Sequence, residues 1–531
     1  MGAGLLAVLA LSSCDILSED NFFDLTTETQ SSFDESVVFS NYALTENCIY
    51  GIYTVFGQTS GHRGRYCTWY GYNTDIECYQ STTYDGKNLD IAAYNCLPNN
   101  SNMNVAGDPY ASVYTGIERA NLCISGLQKY ANEETQPLYG EALAARALLY
   151  AELLRAYGEV PARFEPVAPE TIYLNKSDKD VIYKQILADL ETAIPLLPWP
   201  AQTANAGRMN RAFAEGLYAR LALAASGYSL RPDEGKVGTG DAGTIRLSSD
   251  PDLQKSVLYP KAFAYLQDCI ANSGVSLYPD YETLWRNFNN MDMTPGTEVL
   301  YALPMNDGRG RWNWAFAVRA EAGVSLVGGT AARAGQAGPL PTVYYMYDPA
   351  DVRRDMSCAN YKWESINGKD TQTLAGAMNW YFGKYRFDWM EKQPYTGGND
   401  DGIKPIYMRF SDVLLMAAEI ANEIGEFDYA KEQLLKVRRR AFKGNEAKAD
   451  AYVNSLSQGE SFFNAIVEER ALEFVGEMLR KGDLIRWNLL GAKINAAKAE
   501  ILDMANRTGK YADLPDYVYY KYEADGTTID I

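Results

Sequence analysis

The sequence predicts a helical-repeat body interrupted by a long loop-rich region, and three observations predict it. Apolar residues recur at helical spacing over about 110–230 and again from 410 to 479. Two of these helices are related by a constant offset of 68 residues, twice the 34-residue period of helix-turn-helix repeats. Between the helical stretches, residues 275–405 hold aromatics, Gly, Pro and short alternating runs with no clear period.

In the helical part, Leu143, Ala147, Tyr150, Leu154 and Tyr157 share one face, and Gly158 ends that helix. The next starts with Ser177 as N-cap and Asp180 three residues on, and stops at Pro195. A third runs from Asn210 to Ser226 with Ala214, Leu217, Leu221 and Ala224 facing inward. The offset pairs Ala144 with Ala212, Leu149 with Leu217, Tyr150 with Tyr218 and Leu153 with Leu221; small residues at matching places let stacked helices approach closely. Residues 231–254 contain Gly238, Gly240 and Gly243 in the spacing of a dinucleotide fingerprint, but no strand precedes them, so they read as loop glycines. In the loop-rich region Thr297–Leu303 alternates as a strand does. Helices resume at Phe410–Ile424, stopped by Gly425, then at Phe427–Phe442 and Ser461–Leu479.

The chain has 531 residues and net charge −19. That charge repels phosphate backbones and excludes nucleic acid as a partner. Near the start, the apolar run Gly4–Leu11 is too short to span a bilayer, which needs roughly 20 residues, but it suits a secretory signal. Leu11-Ser12-Ser13-Cys14 reads as a lipobox that makes Cys14 the lipidated first residue of the mature protein; the alternative is an ordinary cleaved signal. The division is therefore a signal over 1–13, a tether over 14–36, the first part of the body over 37–274 with an aromatic loop at 60–100, the loop-rich region over 275–405, and the body's completion over 406–531. The seven other cysteines form no C-x-x-C pair, so neither a disulfide framework nor a zinc site is indicated; pairing within Cys67, Cys78 and Cys96 and free buried thiols both stay open.

Catalytic chemistry has little to work with. The single histidine, His62, lies in the loop Ser60–Arg65; an H-E-x-x-H site needs more histidine than this, and a triad better spacing. A carboxylate-pair hydrolase needs only two acids, and none of the 68 is marked out. No metal or cofactor is indicated. Sugar recognition asks for aromatic faces beside hydroxyl-gripping polar groups. The stretch Trp69-Tyr70-Gly71-Tyr72-Asn73-Thr74-Asp75-Ile76-Glu77, with Arg65 upstream, supplies both, although its aromatics equally suit a lid on the helical body. A second candidate is Arg309–Phe316, where Trp312 and Trp314 share one alternating face and Arg311 and Asn313 the other. Trp285, Trp380 and Trp389 are weaker candidates, and Trp199 reads as a packing residue at a helix end. Tyrosine is abundant, 39 residues against 18 Phe, so most aromatics carry a polar handle suited to half-wet surfaces.

Several ordered blocks resemble one family, the SusD/RagB-like nutrient-binding lipoproteins of certain Gram-negative outer membranes. They are Ile117–Leu122, similar to an I-x-R-A-N helix; Gly140-Glu141-Ala142 with Arg146–Tyr150 and Tyr157–Pro161; Arg409–Glu419, similar to R-Y-A-D-V-L-L-x-x-A-E with Ser411 departing; and Glu469–Phe474 with Asp483–Trp487. The resemblance implies an all-α body of four tetratricopeptide-like helical pairs, with loops from the two aromatic regions forming the ligand surface. It further implies no enzymatic activity, and a lid role on a TonB-dependent SusC-like barrel transporter, capturing oligosaccharides, or in some members peptides, outside the cell. An adaptor without a small ligand is the remaining alternative. Glu469, Arg470 and Glu473 lie at helical spacing and are expected to form a partly buried ion-pair network that fixes helices rather than a catalytic group.

Overall fold

A computed structural model describes residues 34–58, 61–64, 72–80, 86–103, 109–329, 331–376, 379–391 and 400–530. Cys14, most of the tether, Arg65, Cys67, Trp69 and Tyr70 lie outside the described residues. The fold is all-α in its body, with strands only as short pairs, and no barrel among the described residues. Asp34 caps the helix Glu35–Ser40 by accepting from Ser36 N–H.

The body is a succession of helices in which each packs on the next. Pro109–Tyr130 packs on Gln136–Tyr157, which packs on Lys179–Ala193, then Arg211–Ser226, then Lys255–Asn272. The helix that continues the stack is Phe410–Ile424, followed by Phe427–Ala441. Residues 273–409 are thus an insertion between two neighbouring body helices. Gln136–Tyr157 sits in the middle and is buried nearly all round, as its Leu and Ala content allows. Gly158 ends it with φ +73°, a conformation other residues resist. Asn210 caps its helix by accepting from Phe213 N–H.

Two readings need correction. The cap of Lys179–Ala193 is Asp178, whose carboxylate accepts from Asp180 N–H, while the Ser177 hydroxyl accepts from Ala162 N–H. The expected helix over 461–479 stops at Glu473, because Gly476 and Met478 both take positive φ, and a separate helix, Arg480–Arg486, begins just beyond the expected span. Residues 231–254 are a loop closed by a small hairpin, Ser229–Arg231 with Thr244–Arg246.

The insertion has its own apolar core, including Tyr281, Trp285, Trp312, Phe316, Tyr385 and Phe387. Trp285 is only 1% exposed and belongs to that core, which removes it from the ligand candidates. Two antiparallel pairs tie the insertion down: Val299–Ala302 with Ile406–Arg409, and Glu77–Tyr79 with Ala337–Pro339. The expected charge network adds to them and is fully, not partly, buried. Arg353 contacts Glu469 at 2.7 Å and Glu473 at 2.8 Å, Arg409 reaches Glu477 at 2.7 Å, and Arg440 reaches Glu298 at 2.7 Å. Burial alone would push the Glu473 carboxyl up, but Arg440, Arg409 and Arg353 hold it well below the usual carboxylate range. Glu298, Arg353 and Lys384, whose ammonium reaches Glu477 at 2.7 Å, come from the insertion and Arg440, Glu469 and Glu473 from the body, so the network joins the two.

Candidate functional site

The two aromatic regions, more than two hundred residues apart in sequence, meet in space. The backbone N–H of Arg311 donates to Arg63 O at 2.8 Å, and the Arg63 side chain pairs with Asp400 at 2.5 and 2.6 Å. Close approach requires glycine here: a Cβ on Gly64 would lie 2.7 Å from that of Arg311. Gly310, at φ +104°, would set a Cβ 2.5 Å from Ile403 O. Asp401 locks the third strand of chain into the junction. Its N–H donates to Gly310 O at 2.8 Å, and its carboxylate accepts from Trp314 N–H at 2.7 Å and Ile403 N–H at 3.0 Å. Burial pushes this carboxyl up to about 6, against the pull of those N–H donors.

On this junction Trp314 is half-buried, with the Arg311 guanidinium 3.8 Å above its ring centroid. Residues 312–316 form a short helix, not the alternating segment expected, so residues two apart point to nearly opposite sides. That separates the two tryptophans. Trp312 is 4% exposed and packs against Phe316 and Tyr385, whereas Trp314 reaches the surface.

The 72–80 segment is also mostly turned inward. Tyr72 is buried, 4.8 Å from the Tyr79 ring, and donates to Gln336 Oε1 at 3.3 Å. Asp75 makes a two-pronged contact with Arg480 at 2.8 and 2.7 Å. Glu77 accepts from Gly476 N–H at 2.7 Å, and burial pushes its carboxyl up to about 7. Half-buried Asn73 donates to Ala92 O. These polar groups are occupied within the protein because the segment bridges to the end of Glu460–Glu473 and the start of Arg480–Arg486. His62 is likewise internal, 3.2 Å from Glu152 on the body.

Arg63 and Asp400 were not marked by sequence reasoning. The glycines flanking His62 and Arg63 were the available signal, since two Gly in four residues announce a close backbone approach. Trp380, a weaker candidate, is half-buried with its ring 4.9 Å from Tyr344. Cys78 and Cys96 are both free thiols. Among the described residues no His, Cys, Asp and Glu group could hold a metal ion, and no helix is long and apolar enough to cross a membrane.

The architecture is a stack of paired helices carrying an aromatic and arginine-bearing loop layer. Comparison with known proteins gives the class a name. A family model described as "SusD family" matches residues 263–524, and one described as "Starch-binding associating with outer membrane" matches residues 25–223. The chain belongs to the SusD/RagB-like family. SusD-like protein P25 of Formosa agariphila is 24% identical over 432 residues, covering 72% of this chain and 70% of that protein. A SusD homolog from Bacteroides thetaiotaomicron superposes with a TM-score of 0.73 at 22% identity, over 88% of this chain and 90% of that one. Surface glycan-binding protein A from the same organism, solved with laminarihexaose, gives 0.62 at 18% identity over 85% and 91%. Both structures share the fold.

Proposed function

We propose that this chain is a surface glycan-binding protein that captures oligosaccharides at the junction of residues 61–64, 309–314 and 400–403 and delivers them to a TonB-dependent SusC-like transporter. The observation that carries the reading is Trp314, held at the surface by Asp401 and stiffened by Arg311 on a layer that two distant loops build together. A fixed aromatic beside guanidinium and carboxylate groups suits a sugar ring, with its apolar C–H face and polar rim. Family membership and a structural neighbour solved with a glucan hexasaccharide support this cargo. Cys14, lipidated, anchors the chain to the outer membrane in this reading, and residues 15–33, extending at most roughly 65 Å, let the body face the cell exterior. Arg65, Trp69 and Tyr70 are proposed to complete the ligand surface. The chain acts by binding and has no catalytic role.

Calorimetric titration of the chain, without its first 14 residues, with polysaccharide-derived oligosaccharides tests this. Trp314→Ala is expected to cost about 2 kcal/mol, roughly 30-fold in affinity, with the fold unchanged by circular dichroism. Saturable heat from a tryptic peptide pool alone would move the cargo to peptides, and undiminished sugar binding in the variant would move the site elsewhere.

A further inference from the structure

Trp389 carries two cations. The Arg286 guanidinium lies 4.4 Å and that of Arg386 4.3 Å from its ring centroid. Two guanidinium groups so close to one ring centre fit on opposite faces, since on one face they would collide. The ring attracts each, but the cations repel one another. Arg386 is held in place: its Nε donates to Gly383 O at 2.6 Å, and a Cβ on Gly383 would come within 3.2 Å of Nη2.

Internal compensation is thin. Among the described residues no carboxylate pairs with Arg386, and Arg286 pairs with Glu282 at 2.6 Å through side chains 51% and 42% exposed, a contact of little strength. Asp388 lies within the field of both guanidinium groups, but among the described residues it makes no hydrogen bond or ion pair with either, and burial disfavours its charged form. The cluster belongs to the same layer as Trp314: Asn313 Nδ2 lies 3.4 Å from Met390 Sδ, and these are the chain neighbours of Trp314 and Trp389. That layer is also close to electrically neutral. Residues 275–405 hold 13 Lys and Arg against 15 Asp and Glu, while the whole chain carries −19, so an anion is not repelled there as it would be elsewhere.

We propose that the two guanidinium groups flanking Trp389 each bind an acidic group of a sugar chain, the carboxylate of a uronic acid or a sulfate ester, so that the cargo is an anionic oligosaccharide. Guanidinium groups stacked on a ring keep their N–H edges directed outward, and those edges match a planar or tetrahedral oxyanion through paired hydrogen bonds. The inference rests on the glycan-binding reading and adds the charge class of the sugar.

The test titrates the chain, lacking only its first 14 residues, with a neutral β-glucan hexasaccharide, an oligogalacturonate and a sulfated galactan oligosaccharide, at 50 and 300 mM NaCl. One acidic sugar is expected to bind at least about tenfold tighter than the neutral one at low salt and to weaken severalfold at high salt. Which acidic sugar binds separates carboxylate from sulfate. Arg286→Gln, at an exposed position that cannot endanger the fold, is expected to lower the acidic affinity, and Arg286→Gln with Arg386→Gln to remove the preference while neutral binding stays. Acidic binding indifferent to Arg286→Gln and to salt, or a preference for the neutral sugar, overturns the inference and leaves the glycan reading standing. Silence from all three sugars overturns both.

Discussion

Asp75 distinguishes a ligand contact from a structural clamp. In sequence it sits among aromatics as a group suited to gripping hydroxyls; in the fold it holds Arg480, with side chains 2% and 8% exposed. Asp75→Ala therefore leaves a buried guanidinium without its carboxylate, and breaking one partner of such a pair costs about 3–5 kcal/mol. Arg480 retains only its bond to Val467 O at 2.7 Å. For a cooperative unit of this size the unfolding entropy is near 1 kcal/mol per degree, so the melting temperature should fall by about 3–5 °C. Because the clamp fixes the 72–80 segment against Arg480–Arg486, amide exchange at Gly476, whose N–H donates to Glu77, should rise with it. Replacing both partners, Asp75→Leu with Arg480→Met, removes the charges together and should recover most of the loss. A variant Asp75→Ala that melts like the parent but no longer binds oligosaccharide would refute the clamp and return Asp75 to the ligand.

Glu77 predicts a pH dependence. Its carboxyl is raised from 4.5 to about 7 in the fold, so the folded state holds a proton that the unfolded state releases between those values. Stability thus falls as pH rises through this window, by about 3 kcal/mol if the shift is fully expressed; Glu77→Gln, which keeps an acceptor for Gly476, should flatten the profile in denaturant titrations from pH 5 to 8. Gly310→Ala forces a Cβ against Ile403 O and should cost about 1–3 kcal/mol, altering Trp314 fluorescence as the junction shifts. Asp178→Ala removes a helix cap and should cost about 1 kcal/mol, whereas Ser177→Ala should cost less.

The body was legible because its signals are local. Gly158 and Gly425 mark the helix stops, and both sit at ends the fold confirms, with positive φ. Paired Ala and Leu at the 68-residue offset report close helix contacts; Ala144, Ala212, Leu149 and Leu217 are all fully buried. The charge network was legible as spacing on one helix, but its partners Arg353, Glu298 and Lys384 come from afar and leave no local trace. The proposed ligand layer was harder for the same reason. Tyr72, Trp312 and Trp285 look in sequence like surface aromatics, yet they face inward because the insertion must build its own core. The strand reading of 309–316 failed on period: at 180° per residue Trp312 and Trp314 share a face, and at 100° they do not. Only the fold decides which of them meets solvent.

The place where the insertion joins the stack also governs how readily its length can change. Its two ends leave neighbouring helices, and Val299–Ala302 with Ile406–Arg409 clasps them together. Lengthening such a closed excursion by half adds only about 0.4 kcal/mol of closure entropy. Residues can therefore be gained or lost in the exposed loops beyond the clasp, away from the buried contacts of Arg353 and Lys384, with little effect on the register of the helices beneath it.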